Sequence, residues 1–173
     1  LEADGALTYR REIGERMAKN GIFLNPTLQQ GRERIWQLLA KRNTTELTTL
    51  ENKEVVDFEK SWAERLPFFE NLLNDGVKLV AGTDASWMHY KLGGTSLQDE
   101  ILAHVDIGLS PMEAIVSATR DSARSCWIDH YVGTLEPGKK ADILVVDGDP
   151  STDIKALRNI QDIYVSGNRV IRK

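Results

Sequence analysis

Cysteine is almost missing from this sequence: Cys126 stands alone among 173 residues. It can form neither an internal disulfide nor a thiolate metal cluster, so a reducing compartment and a cytoplasmic location are the expectation. No apolar run approaches the roughly 20 residues that a membrane-spanning helix needs, which leaves no membrane span. Basic charge is not in excess either. The 22 Lys and Arg are outnumbered by 26 Asp and Glu, giving a net charge of −4 at pH 7. A general nucleic-acid binder or a protein of anionic membrane surfaces is therefore not expected. Internal repeats and low-complexity tracts are absent, no signal peptide is expected, and the first residue is Leu1 rather than Met. A processed, cleaved or truncated chain is the expectation. What remains is 41% hydrophobic and 28% charged, enough for one sizeable core.

The stretch Val77–Ala85 organises the rest. It reads as a short buried strand that stops at a Gly-Thr turn and presents Asp84 at its carboxyl end. In parallel α/β sheets and barrels, catalytic groups sit at that end of the strands. Asp also favours turns and helix N-caps for local hydrogen-bonding reasons. Position alone leaves both roles open. Behind it, residues 86–96 form a loop with Trp87, His89 and Tyr90, side chains suited to touching a substrate. Gly93-Gly94 would let that loop move as a lid.

Upstream, Leu7–Lys19 is a polar helix stopped at Asn20-Gly21, and Ile22–Leu24 is a short strand ending at Asn25-Pro26-Thr27. Thr27 would lie at the same rim as Asp84, as a substrate-side group or a plain turn residue. Gly31–Arg42 is a helix with Ile35, Leu38 and Leu39 on one face. The pattern through Phe58, Trp62, Phe69 and Leu72 is helical and core-forming, with Pro67 expected to kink or divide it. Downstream, Ser96 caps a helix whose buried face is Leu97, Ile101 and Val105. His104 falls on that face and reads as a packed histidine. Ser110-Pro111-Met112-Glu113 is a strong helix start, and Asp121–Arg124 restarts a short helix. From Tyr131 the character changes to strands and turns, including Ile143–Val146 and a hairpin centred on Gly167-Asn168.

Four stretches now carry a resemblance. Gly76-Val-Lys-Leu-Val-Ala-Gly-Thr-Asp-Ala85 is similar to the final barrel strand of the metal-dependent amidohydrolase superfamily, nearest to its imidazolonepropionase-like and prolidase-like members. Gly133–Asp147, with Glu136-Pro-Gly-Lys139 inside it, matches the segment where that family's chain leaves the barrel for a small β-sandwich. Gly108–Thr119 looks like the family's helix entry, and Gly21–Thr27 resembles its seventh strand. The order and spacing of all four agree.

The resemblance implies an α/β fold: the C-terminal part of a (β/α)8 barrel, its last strands and helices, followed by a small β-sandwich segment. Residues 1–130 would be the barrel portion and 131–173 the sandwich portion. It implies hydrolysis of C–N bonds in a small-molecule amide, peptide or cyclic amide by a water activated on a divalent metal, zinc foremost. Asp84 would then be metal ligand and general acid/base. The family's His-x-His pair is missing, and His89, His104 and His130 all follow Asp84. Nor do 173 residues supply a barrel of about 250. The expectation is a fragment that is inactive by itself and binds metal weakly. The alternatives are a non-catalytic module that self-associates through exposed barrel surface, and one half of a split hydrolase.

Overall fold

The structure is a computed structural model that describes residues 8–29, 32–85 and 95–171. They fall into two compact units. The first draws on Leu1–Ile22 and Leu28–Val77, the second on Phe23–Thr27 and Lys78–Lys173.

The first unit is helical. Its elements are α1 (Arg11–Lys19), α2 (Arg32–Arg42) and α3 (Thr49–Asn74). The face read from the sequence is the one that packs: Ile35 and Leu38 of α2 meet Val55 of α3, with Leu39, Leu47 and Phe58 around them. Thr48 and Glu51 start α3 with a reciprocal capping box, Glu51 N–H to Thr48 Oγ1 at 3.2 Å and Thr48 N–H to Glu51 Oε2 at 2.9 Å. Lys41 Nζ donates to the same carboxylate at 2.7 Å. At the far end, Tyr9 Oη donates to Asp75 at 2.6 Å, the residue that closes α3. That carboxylate leaves no room for a side chain at Gly14.

Pro67 does not divide the helix: α3 runs as one helix of 26 residues. Buried side chains flank the proline on both sides, Val55 before it and Phe69 and Leu72 after it. Burial on both flanks offsets the cost of roughly 3 kcal/mol that an interior proline carries. The aromatics are core material as expected for Phe69, and Phe58 stacks on Trp62 at 6.0 Å between centroids.

The second unit carries both sheets. Strands β1 (Phe23–Leu24) and β2 (Lys78–Leu79) pair in parallel, with Leu24 opposite Leu79. Then come α4 (Ser96–Asp106), α5 (Pro111–Val116), a π-helical turn (Ser117–Asp121) and α6 (Ser122–Ser125). The capping box at Ser110 and Glu113 is present as read from the sequence. The short helix expected at Asp121 is present as Ser122–Ser125, but it follows the π turn without a side-chain cap of its own. Pro111–Ser125 is continuous helix, because the widened turn is held by hydroxyls: Ser117 Oγ bonds Ala114 O at 2.7 Å and Ser122 Oγ bonds Ser117 O at 2.6 Å. α4 also begins one residue earlier in its cap than expected. Thr95 is the N-cap, and its hydroxyl donates to Asp99 at 3.0 Å. Leu97 is solvent-exposed rather than part of the buried face.

Strands β3 (Ile143–Val146), β4 (Ile160–Val165) and β5 (Asn168–Arg169) form an antiparallel sheet in that order. The hairpin turn is Ser166-Gly167, not Gly167-Asn168, since both of these residues have positive φ (50° and 79°) and Asn168 already pairs with Val165. A 3₁₀ helix, Ile154–Arg158, returns Ile154 and Leu157 to the core beside Ile101 and Ala114. Arg158 pairs with Asp99 across that contact.

The cap of α3 yields a pH prediction. Lys41 first, then the Thr48 N–H, hold the Glu51 carboxyl at about 2, below its ordinary 4.5. A carboxylate with a depressed folded value stabilises the fold above the unfolded value and loses that contribution as pH falls through the folded one. The melting temperature is therefore expected to drop between about pH 4.5 and pH 2 more steeply in the native chain than in Glu51→Gln. Equal drops would contradict it. Thr48→Ala is expected to cost about 1 kcal/mol at neutral pH.

Candidate active site

Two short parallel strands, β1 and β2, lead to the candidate residues. The ladder between them closes with Val80 N–H donating to Leu24 O at 2.9 Å. Beyond that bond the chains turn outward, β1 into Asn25-Pro26-Thr27 and β2 into Ala81-Gly82-Thr83-Asp84. Ala81 N–H finds its acceptor in Ser117 O of the π turn, at 3.3 Å.

Both ends carry a non-glycine residue in the left-handed region, Thr27 at φ 50° and Asp84 at φ 46°. For a β-branched threonine this is rare, and each such residue costs on the order of 1–3 kcal/mol. Strained residues of this kind concentrate at functional sites. Asn25 joins the two ends. Its side-chain amide lies where a Cβ on Gly82 would stand, so only glycine fits there. Thr27 Oγ1 lies 3.4 Å from Asn25 Oδ1, at the limit of a hydrogen bond. Thr83 Oγ1 accepts the Ala85 N–H at 3.2 Å, a side-chain turn that sets the backbone around Asp84. The Asp84 residue is exposed.

Thr27 lies in the segment that follows β1 and Asp84 in the segment that follows β2, and these two strands pair in parallel. Trp87, His89 and Tyr90 lie outside the described residues. His130 is exposed, its ring edge-on to Tyr131 at 4.3 Å. His104 is fully buried, with Nδ1 2.8 Å from Ser117 Oγ and Nε2 3.3 Å from Glu100 Oε1. It is packed, though against polar partners. Sequence reasoning passed over Asn25 and Glu100. The spacing of four between Glu100 and His104 on a helix was the available clue to the second. Nothing in the sequence marked Asn25 as packing on Gly82.

Among the described residues, no three His, Cys, Asp or Glu side chains converge as a metal donor set. Asp84 fits as one ligand of such a set and does not make a site alone.

An Amidohydrolase family model matches residues 15–170. The chain belongs to the amidohydrolase family. The adenine deaminase of Methanococcoides burtonii is 35% identical over 107 residues, covering 60% of this chain and 17% of that protein. The imidazolonepropionase of Geobacillus kaustophilus is 46% identical over 44 residues, 25% of this chain and 10% of its own. Among solved structures, a Xaa-Pro dipeptidase with methionine bound in its active site superposes with a TM-score of 0.64 at 24% identity, over 92% of this chain and 37% of that one. This last likeness is one of fold. The chain covers well under two thirds of the length of each of these three relatives. Amidohydrolase membership establishes the α/β fold class expected from the sequence.

The Asn25–Gly82 contact is open to test. Gly82→Ala is expected to push Asn25 off the strand end and lower the melting temperature. Asn25→Gly should restore much of that loss in the double variant, a non-additive pair. Strictly additive effects would contradict the contact.

Proposed function

We propose that this amidohydrolase chain carries the Asp84 end of an active site that hydrolyses a C–N bond in a small-molecule amide, peptide or cyclic amide. The observation that carries the reading is Asp84 itself, exposed and in a strained conformation at the end of β2, with β1's end fastened beside it through Asn25. Asp84 takes the proton of the attacking water and passes it to the leaving nitrogen. Thr27 stands on the substrate side, with Trp87, His89 and Tyr90 assigned there from the sequence.

The family is generally metal-dependent, and a divalent ion, zinc in our reading, held in part by Asp84, would supply Lewis-acid chemistry to the scissile carbonyl and to a bound water. A catalytic zinc uses three protein ligands, of which Asp84 supplies one. His104 is enclosed by Ser117 and Glu100, and the sequence has no His-x-His. In our reading the isolated 173-residue chain is therefore inactive, and the remaining ligands come from other residues of a longer polypeptide or of a second chain. Residues 1–130 then serve as barrel portion and 131–173 as sandwich portion, in a cytoplasmic hydrolase.

The test supplies the missing ligands. Mixing or fusing the chain with an amidohydrolase half that bears His-x-His is expected to produce amide hydrolysis. Asp84→Asn should then lower kcat/KM by about 10²- to 10⁴-fold with unfolding unchanged. Undiminished hydrolysis by Asp84→Asn would overturn the assignment.

A second reading has an observation of its own. The second unit holds an open, largely apolar groove of about 860 Å³ lined by Leu97, Ile101, Met112, Ile115, Val132 and Leu135, with neither Thr27 nor Asp84 on its wall. Such a surface favours a self-associating module without catalysis. Light scattering separates the two: self-association would give at least twice the monomer mass, and a clean monomer would remove this reading.

A further inference from the structure

Glu100, His104 and Ser117 form a buried polar cluster that the proposed chemistry does not use. Their exposures are 0%, 0% and 2%. Hydroxyl, imidazole and carboxylate stand in the sequence familiar from nucleophilic catalysis, yet this burial denies the hydroxyl any substrate. The bonds point to a different task.

Ser117 Oγ has one proton and gives it to Ala114 O, 2.7 Å away. Toward His104 it can only accept, so Nδ1 carries a proton and donates across 2.8 Å. Glu100 Oε1 faces the other ring nitrogen at 3.3 Å and fixes the ring's orientation. Ser117 is thereby held from both sides at the first residue of the π turn. Its carbonyl oxygen accepts the Ala81 N–H at 3.3 Å and the Ser122 hydroxyl at 2.6 Å. Ala81 is the residue at which β2 leaves its ladder with β1, since the last ladder bond is that of Val80. Three residues further on stands Asp84. An apolar side chain of similar size would fill the space of His104, but it would leave the Ser117 hydroxyl and the Glu100 carboxylate buried beside a group that cannot bond them.

We infer that His104 is a positioning residue: through Ser117 it sets the path of Gly82-Thr83-Asp84 and so the place of the Asp84 carboxylate. The importance of this coupling for hydrolysis rests on the role proposed above for Asp84. The coupling itself is measurable in the 173-residue chain without substrate or metal.

The experiment is backbone amide NMR with hydrogen exchange on His104→Leu, His104→Asn and Ser117→Ala. His104→Leu is expected to speed exchange at the Ala81 amide at least tenfold and to shift the Thr83, Asp84 and Ala85 signals. The Ile143 and Tyr164 amides, opposite each other in the β3–β4 pair, report an intact fold and should not change. Asn places a polar atom near the former Nδ1, so His104→Asn is expected to keep Ala81 within about threefold of the native rate. A role in packing alone predicts the opposite order, with Leu tolerated and Asn disruptive. Unchanged Ala81 exchange in His104→Leu would overturn the inference. Should His104→Leu lose its β3–β4 protection, the milder Ser117→Ala decides: faster Ala81 exchange supports the coupling and native exchange overturns it. Failure of this amide readout removes the coupling, whereas undiminished hydrolysis by Asp84→Asn removes the role of Asp84, so the two failures are told apart.

Discussion

The parallel pairing of two very short strands is the constraint on which the site depends. Phe23–Leu24 and Lys78–Leu79 share a brief ladder, yet the ends of both strands must be held in register for Thr27 and Asp84 to belong to one place. Ladder bonds cannot do this beyond Val80. The chain hands the task to other groups: Ser117 O takes the Ala81 N–H, and the Asn25 amide lies against the bare backbone of Gly82. Without these contacts two left-handed non-glycine residues would relax, because nothing in their own conformational preference keeps them there.

The second unit supplies the rigidity behind that arrangement. Hydroxyl bonds hold a π turn open in the middle of a continuous helix, and its widened backbone presents the acceptor that Ala81 needs. Ile101 and Ala114 pack this helix pair against Ile154 and Leu157 of the 3₁₀ helix, while Asp99 and Arg158 join across the same contact. The C-terminal segment is thus part of the core beneath the β2 end. It is not an independent appendage.

Much of this was legible in the sequence because local physics decided it. The capping box at Ser110 and the strand Ile143–Val146 follow from short-range preferences and patterning. Resemblance in four stretches gave the family, which the match over residues 15–170 establishes. The readings that failed were those in which tertiary packing outweighed a local rule. Pro67 stays inside a helix because buried residues grip both flanks. Asp121 precedes a short helix as read, but hydroxyls carry the backbone into it through the wide turn with no break. Leu97 looked buried by periodicity but faces solvent. The position of Asp84 after a strand could be read from the sequence, whereas the contact of Asn25 with Gly82 could not, since the two lie more than fifty residues apart along the chain.

The chemistry assigned to Asp84 rests on one carboxylate being a part of a metal centre rather than the whole of it. Calorimetric titration of the 173-residue chain with zinc addresses this most directly. The account predicts no stoichiometric binding in the micromolar range, because a single carboxylate leaves two of three protein ligands unfilled. One zinc bound per chain at micromolar affinity, and lost in Asp84→Asn, would contradict it.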